Sequence, residues 1–184
     1  MFPSITITKT SQPRKKPVAG EPLPFGQFFS DHMFIMDYIE GQGWINPRIE
    51  PYGPITIEPT AMVLHYGQAV FEGLKAYRCP DDTINLFRPY LNYERLNQSD
   101  ERMVIPKLDV DFCVHATKTL VDLDQDWIPT GQNESLYIRP FVIATDPFLG
   151  VRPQHVENFH DRHAFVGGHY FAFQHTRAHT FHYF

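Results

Sequence analysis

The chain has 184 residues, of which 42% are hydrophobic and 20% are charged, a composition typical of one globular domain. Its net charge of −5, from 16 Lys and Arg against 21 Asp and Glu, leaves no broad cationic surface, so we expect no nucleic-acid binding. No window holds the roughly 18 to 20 consecutive apolar residues of a membrane span, and the two cysteines are isolated, which argues against a disulfide framework.

The first 24 residues predict a flexible arm. They contain five prolines and a basic run at residues 14–16, with no acidic residue before Glu21. A mitochondrial presequence is the competing interpretation, but the basic residues are clustered rather than spread along an amphipathic helix. We therefore expect a soluble cytoplasmic protein, with a mitochondrial location as the alternative.

The first buried strand is predicted over residues 33–39, where the sequence is almost continuously apolar. We expect Gly41, Gly43 and Pro47 to end this strand and a turn-rich connection to follow. Residues 55–58 alternate apolar and polar side chains, which predicts a further short strand.

A hairpin and two helices are predicted next. Residues 70–77 and 84–87 flank a Cys-Pro-Asp-Asp turn and are expected to pair as a β-hairpin. A helix should begin near Pro89, because no further Gly or Pro occurs before Pro106. Asp109 is a suitable N-cap for a second helix, which should end before the next proline.

The clearest strand is SLYIRPFVIA, Ser135–Ala144, which is dense in β-branched and aromatic side chains. The elements together predict an α+β fold in which two helices pack on one face of a sheet. Residues 154–184 differ from everything before them, since they hold seven of the ten histidines and no Lys, Leu or Ile. A segment of this composition is not expected to complete a core.

Four sequence blocks in unbroken order resemble the branched-chain amino acid aminotransferases. They lie between residues 25 and 153 and read FGQFFSDHMFIMDY, LHYGQAVFEGLKAYR, LFRPYLNYERLNQS and SLYIRPFVIAT, the last followed by DPFLGVRP. The resemblance implies the small N-terminal domain of a class IV, fold type IV enzyme that depends on pyridoxal 5′-phosphate (PLP). Such enzymes exchange an amino group between Leu, Ile or Val and 2-oxoglutarate, and they act as homodimers.

The resemblance also implies roles for individual residues. Arg95 matches the arginine that binds the cofactor phosphate, and Arg139 matches an arginine associated with the side-chain carboxylate of glutamate or 2-oxoglutarate. Tyr137 lies two residues before Arg139 on the predicted strand, so both side chains should point to one face and form a carboxylate receptor. Four further positions match the pocket for branched side chains, and some of them reach the partner subunit. These are Phe25, Tyr66, Phe71 and Val151. Apart from the resemblance, surface arginines and packed aromatic residues would be the default interpretation.

The lysine that must carry PLP and move the substrate proton is not found. All six lysines lie at or before Lys118, and Lys75, although it is in a family block, does not match the Schiff-base residue. We therefore expect the large C-terminal domain to be absent and the chain to be inactive alone. A frameshift after Pro153 would explain residues 154–184 as a disordered tail, and it predicts that another reading frame restores an aliphatic strand and later a lysine.

Three other functions are considered. One is a non-catalytic protein that dimerises with a full-length homologue. Another is a different class IV enzyme, either a D-amino acid aminotransferase or an aminodeoxychorismate lyase, but SDHM and SLYIRP resemble the branched-chain group. The third is metal binding by tail histidines at helical spacing, which we do not expect because Gly167 and Gly168 lie between the two groups of histidines. These histidines are His160 and His163, or His175, His179 and His182.

Overall fold

The computed structural model describes residues 2–17, 24–131 and 134–150, together with the backbone of residues 162–172. In these ranges eight strands form one sheet, in the order β1-β3-β2-β8-β7-β5-β6, with β4 also paired to β7. The elements in chain order are β1 (Thr6–Ile7), β2 (Phe29–Ile39), β3 (Gly43–Pro51), α1 (Met62–Tyr66), β4 (Ala69–Phe71), β5 (Leu74–Arg78), β6 (Ile84–Leu86), α2 (Pro89–Arg102), α3 (Val110–Leu123), β7 (Ser135–Ala144) and β8 (Arg162–Ala172).

Two helices cover one face of the sheet, which confirms the predicted α+β architecture. α2 begins with Pro89 in its first turn, where a missing N–H group costs no helical hydrogen bond. α3 is capped by Asp109, whose carboxylate accepts a hydrogen bond from the Phe112 amide at 3.0 Å. The core beneath the helices also receives side chains from β2, β4 and β7. Its members include Phe34, Met36, Val70, Tyr93, Leu96, Phe112, Leu120 and Val142.

β4 and β5 behave as one strand with a two-residue interruption. Both pair antiparallel with β7 in a single register, which sets Phe71 opposite Phe141 and Leu74 opposite Ile138. The two residues between them, Glu72 and Gly73, therefore lie opposite Pro140 and Arg139. Because proline has no N–H group, the ladder lacks one hydrogen bond at this point. The predicted strand over residues 70–77 is confirmed apart from this break, and so is its hairpin with β6.

The hairpin of β2 and β3 differs from the sequence prediction. β2 begins four residues earlier than expected, and β3 runs over Gly43–Pro51, where we expected a turn-rich connection. Gly41 and Gly43 adopt positive φ angles of 78° and 77° and shape the hairpin turn rather than ending the sheet. Pro47 is accommodated because the pairing register shifts between Ile35 and Asp37, which leaves an extra residue on the β3 side.

The strand predicted over residues 55–58 is wrong, because the structure has no regular element there. Pro54 and Pro59 flank this segment, and neither residue can donate a backbone hydrogen bond to a neighbouring strand. The alternation of apolar and polar side chains was therefore not sufficient to form a strand.

The segment after residue 153 contains β8, which lies between β2 and β7 and pairs antiparallel with both. We expected no regular structure in residues 154–184. Because β8 pairs on both edges, its backbone N–H and C=O groups are hydrogen-bonded whatever its side chains are. Composition alone therefore did not predict this strand. Residues 151–161 and 173–184 lie outside the described residues.

The N-terminal arm is tied to the sheet over part of its length. Thr6–Ile7 pairs parallel with β3. The amide of Thr10 donates to Nε2 of His32 at 2.9 Å, and the amide of Arg14 donates to Oδ1 of Asp31 at 2.7 Å. These contacts hold a segment that the sequence predicts to be flexible, because they use backbone groups that composition does not reveal. Within the described ranges, no helix is both long and apolar enough to cross a membrane.

Candidate functional site

The candidate site lies on the sheet face opposite α2 and α3. Side chains alternate along β7, so Leu136 and Ile138 point to the helical core while Tyr137 and Arg139 point to the other face. The shared register brings Phe71 of β4 to this same face, opposite Phe141. The strand period therefore places Tyr137 and Arg139 side by side, as the sequence predicts.

Two aromatic rings flank the guanidinium group of Arg139, and a third ring packs against one of them. Nε of Arg139 donates a hydrogen bond to the Tyr137 hydroxyl at 2.9 Å. The guanidinium carbon lies 4.2 Å from the centre of the Phe71 ring and 5.1 Å from that of Tyr137. The ring of Phe25 contacts Tyr137 edge-on, with 5.3 Å between the ring centres. We call these four residues, Phe25, Phe71, Tyr137 and Arg139, the aromatic–arginine cluster.

The aromatic–arginine cluster combines a cation with an exposed apolar wall. Phe71 is 63% exposed and Phe25 is 48% exposed, although both are large apolar side chains. The rings orient the guanidinium by cation–π contact. A guanidinium held in this way can bind a carboxylate by two parallel hydrogen bonds, while the rings can bury an aliphatic side chain. One surface can therefore accept an acidic or an aliphatic ligand.

Gly73 allows the close packing of this cluster. A Cβ atom at this position would lie 2.3 Å from the hydroxyl oxygen of Tyr137 and 2.9 Å from two of its ring carbons. Gly73 lies opposite Arg139 across the break between β4 and β5, so its missing side chain leaves the space that the tyrosine fills. Here the requirement for glycine arises from close approach rather than from backbone conformation.

Arg95 lies on the helical side of the sheet, in a two-point ion pair with Glu72. Its Nε and Nη2 atoms donate to the two carboxylate oxygens at 2.5 Å and 2.8 Å. Burial raises the pKa of Glu72, but hydrogen bonds from Arg95, Asn92 and the Gly73 amide outweigh it and hold the pKa below the usual value of 4.5. Glu72 is therefore a stable anion at neutral pH.

Glu72 is the residue that sequence reasoning missed. Its side chain is 7% exposed and forms an ion pair with Arg95, the arginine that the resemblance assigns to the cofactor phosphate. It also adjoins Gly73, so two neighbouring residues connect Arg95 on one face with the aromatic–arginine cluster on the other. A buried acidic residue within an apolar strand is the signal that identifies it.

Two of the residues predicted to bind substrate are not placed in the cluster. Tyr66 lies at the end of α1, where it is 45% exposed and its ring centre is 6.4 Å from that of His65. Val151 lies outside the described residues. The side chains of the tail histidines that were considered for metal binding also lie outside the described part of the chain. In the part of the chain with described side chains, no three His, Cys, Asp or Glu residues converge as a metal site would require.

The sequence is similar to bacterial enzymes of known name. It is 53% identical over 151 residues to branched-chain-amino-acid aminotransferase 2 of Bacillus subtilis (strain 168), which covers 82% of this chain and 41% of that protein. Branched-chain-amino-acid transaminase 1 of the same strain is 56% identical over 144 residues, or 78% of this chain and 40% of that protein. The chain thus spans about 40% of the length of these curated relatives.

Solved structures agree on the fold. A branched-chain aminotransferase from Thermoproteus uzoniensis has a TM-score of 0.53 at 20% identity, over 73% of this chain and 40% of that one. The Escherichia coli enzyme has a TM-score of 0.52 at 21% identity, over 72% of this chain and 38% of that one. No protein-family model matches the chain. On the sequence similarity and the shared fold, the chain belongs to the branched-chain aminotransferase family and corresponds to the N-terminal part of its fold type IV enzymes.

Proposed function

We propose that this chain supplies the cofactor-phosphate anchor and the substrate wall of a PLP-dependent branched-chain aminotransferase. The reaction exchanges an amino group between Leu, Ile or Val and 2-oxoglutarate. The observation that carries the proposal is the aromatic–arginine cluster, in which Arg139 is hydrogen-bonded to Tyr137 and stacked on Phe71. A transaminase with one acidic and one aliphatic substrate must bind both in a single pocket, and the cluster offers a cation for the first and an apolar wall for the second.

The cofactor residue we propose is Arg95. A guanidinium fits a phosphate group because its planar donors match two phosphate oxygens, and 64% of this side chain is exposed to receive such a ligand. PLP, when bound, withdraws electrons from the substrate carbon whose proton is moved. The task of this chain towards the cofactor is therefore to bind and orient its phosphate.

The substrate residues we propose are those of the cluster. Arg139 and the Tyr137 hydroxyl receive the side-chain carboxylate of glutamate or 2-oxoglutarate. Phe25 and Phe71, and by the resemblance Val151, bury the methyl groups of Leu, Ile or Val, at roughly 0.8 kcal/mol for each buried CH₂ group.

We propose that the chain does not transaminate alone. The reaction needs an activated lysine, and none of the six lysines matches the Schiff-base residue of the family. We further propose that residues 25–153 form the small domain, preceded by the arm, and that β8 completes its sheet between β2 and β7. A homodimer is the proposed assembly, in which the exposed ring of Tyr66 reaches the site of the second subunit.

Isothermal titration of the chain with 2-oxoglutarate and with 4-methyl-2-oxopentanoate, the oxo acid of leucine, tests the substrate assignment. Arg139→Gln is expected to weaken 2-oxoglutarate binding by about tenfold, because it removes a charge-assisted contact. Its effect on 4-methyl-2-oxopentanoate should be small. Arg102→Gln removes the same charge from the exposed end of α2 and is the matched control. Equal weakening by both variants would contradict the proposal.

A further inference from the structure

The carboxylate of Glu72 accepts more hydrogen bonds than the carboxylate of an ordinary surface ion pair. In addition to the two hydrogen bonds from the guanidinium, Oε2 of Glu72 accepts from Nδ2 of Asn92 at 3.0 Å and from the Gly73 amide at 3.2 Å. The Glu72 side chain is 7% exposed, whereas that of Arg95 is 64% exposed. The anion is therefore fixed from two elements, and the cation extends from it towards solvent.

The position of Glu72 follows from the break in the strand. Its amide donates to the carbonyl of Pro140 at 2.9 Å, and the alternation of β4 and β5 turns its side chain to the helical face with Val70 and Leu74. The carboxylate therefore meets α2 at the turn that carries Asn92 and Arg95. Backbone pairing thus sets the location of the anion independently of the arginine.

The two-point pair also fixes the plane of the guanidinium. Of the five N–H groups of an arginine, Glu72 engages one on Nε and one on Nη2. An arginine side chain otherwise samples many rotamers, and ordering it reduces the affinity for any ligand it binds. An arginine that is already oriented binds a phosphate at a lower entropic cost.

We propose that Glu72 is a positioning residue that presents the guanidinium of Arg95 to the phosphate group of a ligand. The inference rests on the proposed function, in which that phosphate belongs to PLP. Glu72 does not contact the phosphate itself, because its oxygens already accept four hydrogen bonds and its charge repels an anion.

Positioning and simple electrostatics predict opposite effects of Glu72→Gln. Removing a negative charge beside Arg95 strengthens the attraction of the arginine for an anion. Losing the two-point pair releases the guanidinium and weakens the same binding. The direction of the change therefore separates a positioning role from a purely electrostatic one.

The test is calorimetric titration of the full chain with pyridoxine 5′-phosphate and with pyridoxine, which lack the aldehyde that reacts with lysines. The ratio of the two Kd values measures the contribution of the phosphate. We expect the unmodified chain to prefer the phosphorylated ligand by about tenfold or more. Glu72→Gln should reduce this ratio by about fivefold, and an unchanged or larger ratio would overturn the proposal.

Arg95 variants distinguish failure of this inference from failure of the proposed function. Arg95→Gln should bring the ratio near one, and adding Glu72→Gln should change nothing more, because Glu72 acts through Arg95. A wild-type ratio in Arg95→Gln would overturn both the cofactor assignment and the inference. A wild-type ratio in Glu72→Gln alone would overturn only the inference. Arg102→Gln is the charge control and should keep the ratio.

A second variant keeps the test decisive if Glu72→Gln does not fold, as judged by circular dichroism. Asn92→Ala removes one donor to Glu72 and leaves both members of the ion pair in place. It should lower the ratio about twofold, because the carboxylate is held less firmly. A folded Asn92→Ala variant with the wild-type ratio would overturn the inference.

Discussion

Replacing Asp100 by Asn should stabilise the chain at neutral pH and should not stabilise it in acid. Asp100 lies in α2, near its C-terminal end, and is fully buried. Among the described residues, neither of its carboxylate oxygens has a hydrogen-bond partner. Burial raises the pKa of this carboxyl from 3.8 to about 7. An ionised Asp100 is therefore a buried charge without compensation.

The magnitude follows from the difference in proton affinity. The carboxyl titrates near pH 3.9 in the unfolded chain, so between about pH 4 and 7 the folded state binds more protons than the unfolded state. The free energy of unfolding then falls as the pH rises, by about 1.4 kcal/mol per pH unit for this group. The loss is complete above pH 7 and amounts to about 4 kcal/mol. Asn has the shape of the protonated acid and does not ionise, so Asp100→Asn should recover this loss.

The assay is urea unfolding at pH 5, 6, 7 and 8, followed by the fluorescence of the two tryptophans. The stability gain of Asp100→Asn over the unmodified chain should grow at each step up to pH 7 and then level off. Asp122→Asn, at an exposed position of α3, is the control and should show no such growth. A gain that is absent, or that is equal at pH 5 and pH 8, would refute the reasoning.

Three further changes test other contacts. His32→Leu removes the imidazole whose Nδ1 atom lies 2.6 Å from Oδ1 of the buried Asp124. In urea titrations it should lower the free energy of unfolding by about 3 to 5 kcal/mol, because the carboxylate loses its partner. A loss below about 1 kcal/mol would contradict this. Gly73→Ala places a methyl group against Tyr137, so it should lower the free energy of unfolding by about 1 to 3 kcal/mol and weaken 2-oxoglutarate binding. An unchanged calorimetric affinity would show that the cluster tolerates the methyl group. Phe71→Leu keeps an apolar wall but removes the ring stacked on Arg139. The affinity for 2-oxoglutarate should therefore fall about threefold, and the affinity for 4-methyl-2-oxopentanoate should not fall. Equal effects on the two ligands would be inconsistent with orientation of Arg139 by cation–π contact.

The elements that sequence reasoning located correctly are those with local signals. Pro89 and Asp109 mark the starts of α2 and α3, because a first-turn proline and an N-cap aspartate act within a few residues. β7 matches its predicted range because its side chains alone favour a strand.

The elements it missed depend on distant partners. β3 begins at Gly43 and contains Pro47, and both residues are typical strand breakers. Pairing with β2 accommodates Pro47 at a bulge in β3. β8 and the arm are held by backbone pairing that composition does not report. Sequence patterns describe side chains, and these three segments are defined by their neighbours in the sheet.

The candidate site divides in the same way. The strand period places Tyr137 and Arg139 on one face without any knowledge of the fold. The resemblance added Arg95, Phe25 and Phe71. The placement of Phe71 beside Arg139 depends on the register between β4 and β7, which no local pattern contains.

The most direct test of the central claim is transaminase activity of a hybrid protein. Residues 1–153 of this chain would be joined to the C-terminal part of Bacillus subtilis branched-chain-amino-acid aminotransferase 2, which is 53% identical to this chain over the matched residues and would have to supply the strand that β8 forms here between β2 and β7. If this chain supplies the phosphate anchor and substrate wall, the hybrid loaded with PLP should exchange the amino group of leucine with 2-oxoglutarate. Arg139→Gln in the hybrid should raise the KM for 2-oxoglutarate about tenfold. A folded, PLP-loaded hybrid without this exchange would contradict the account.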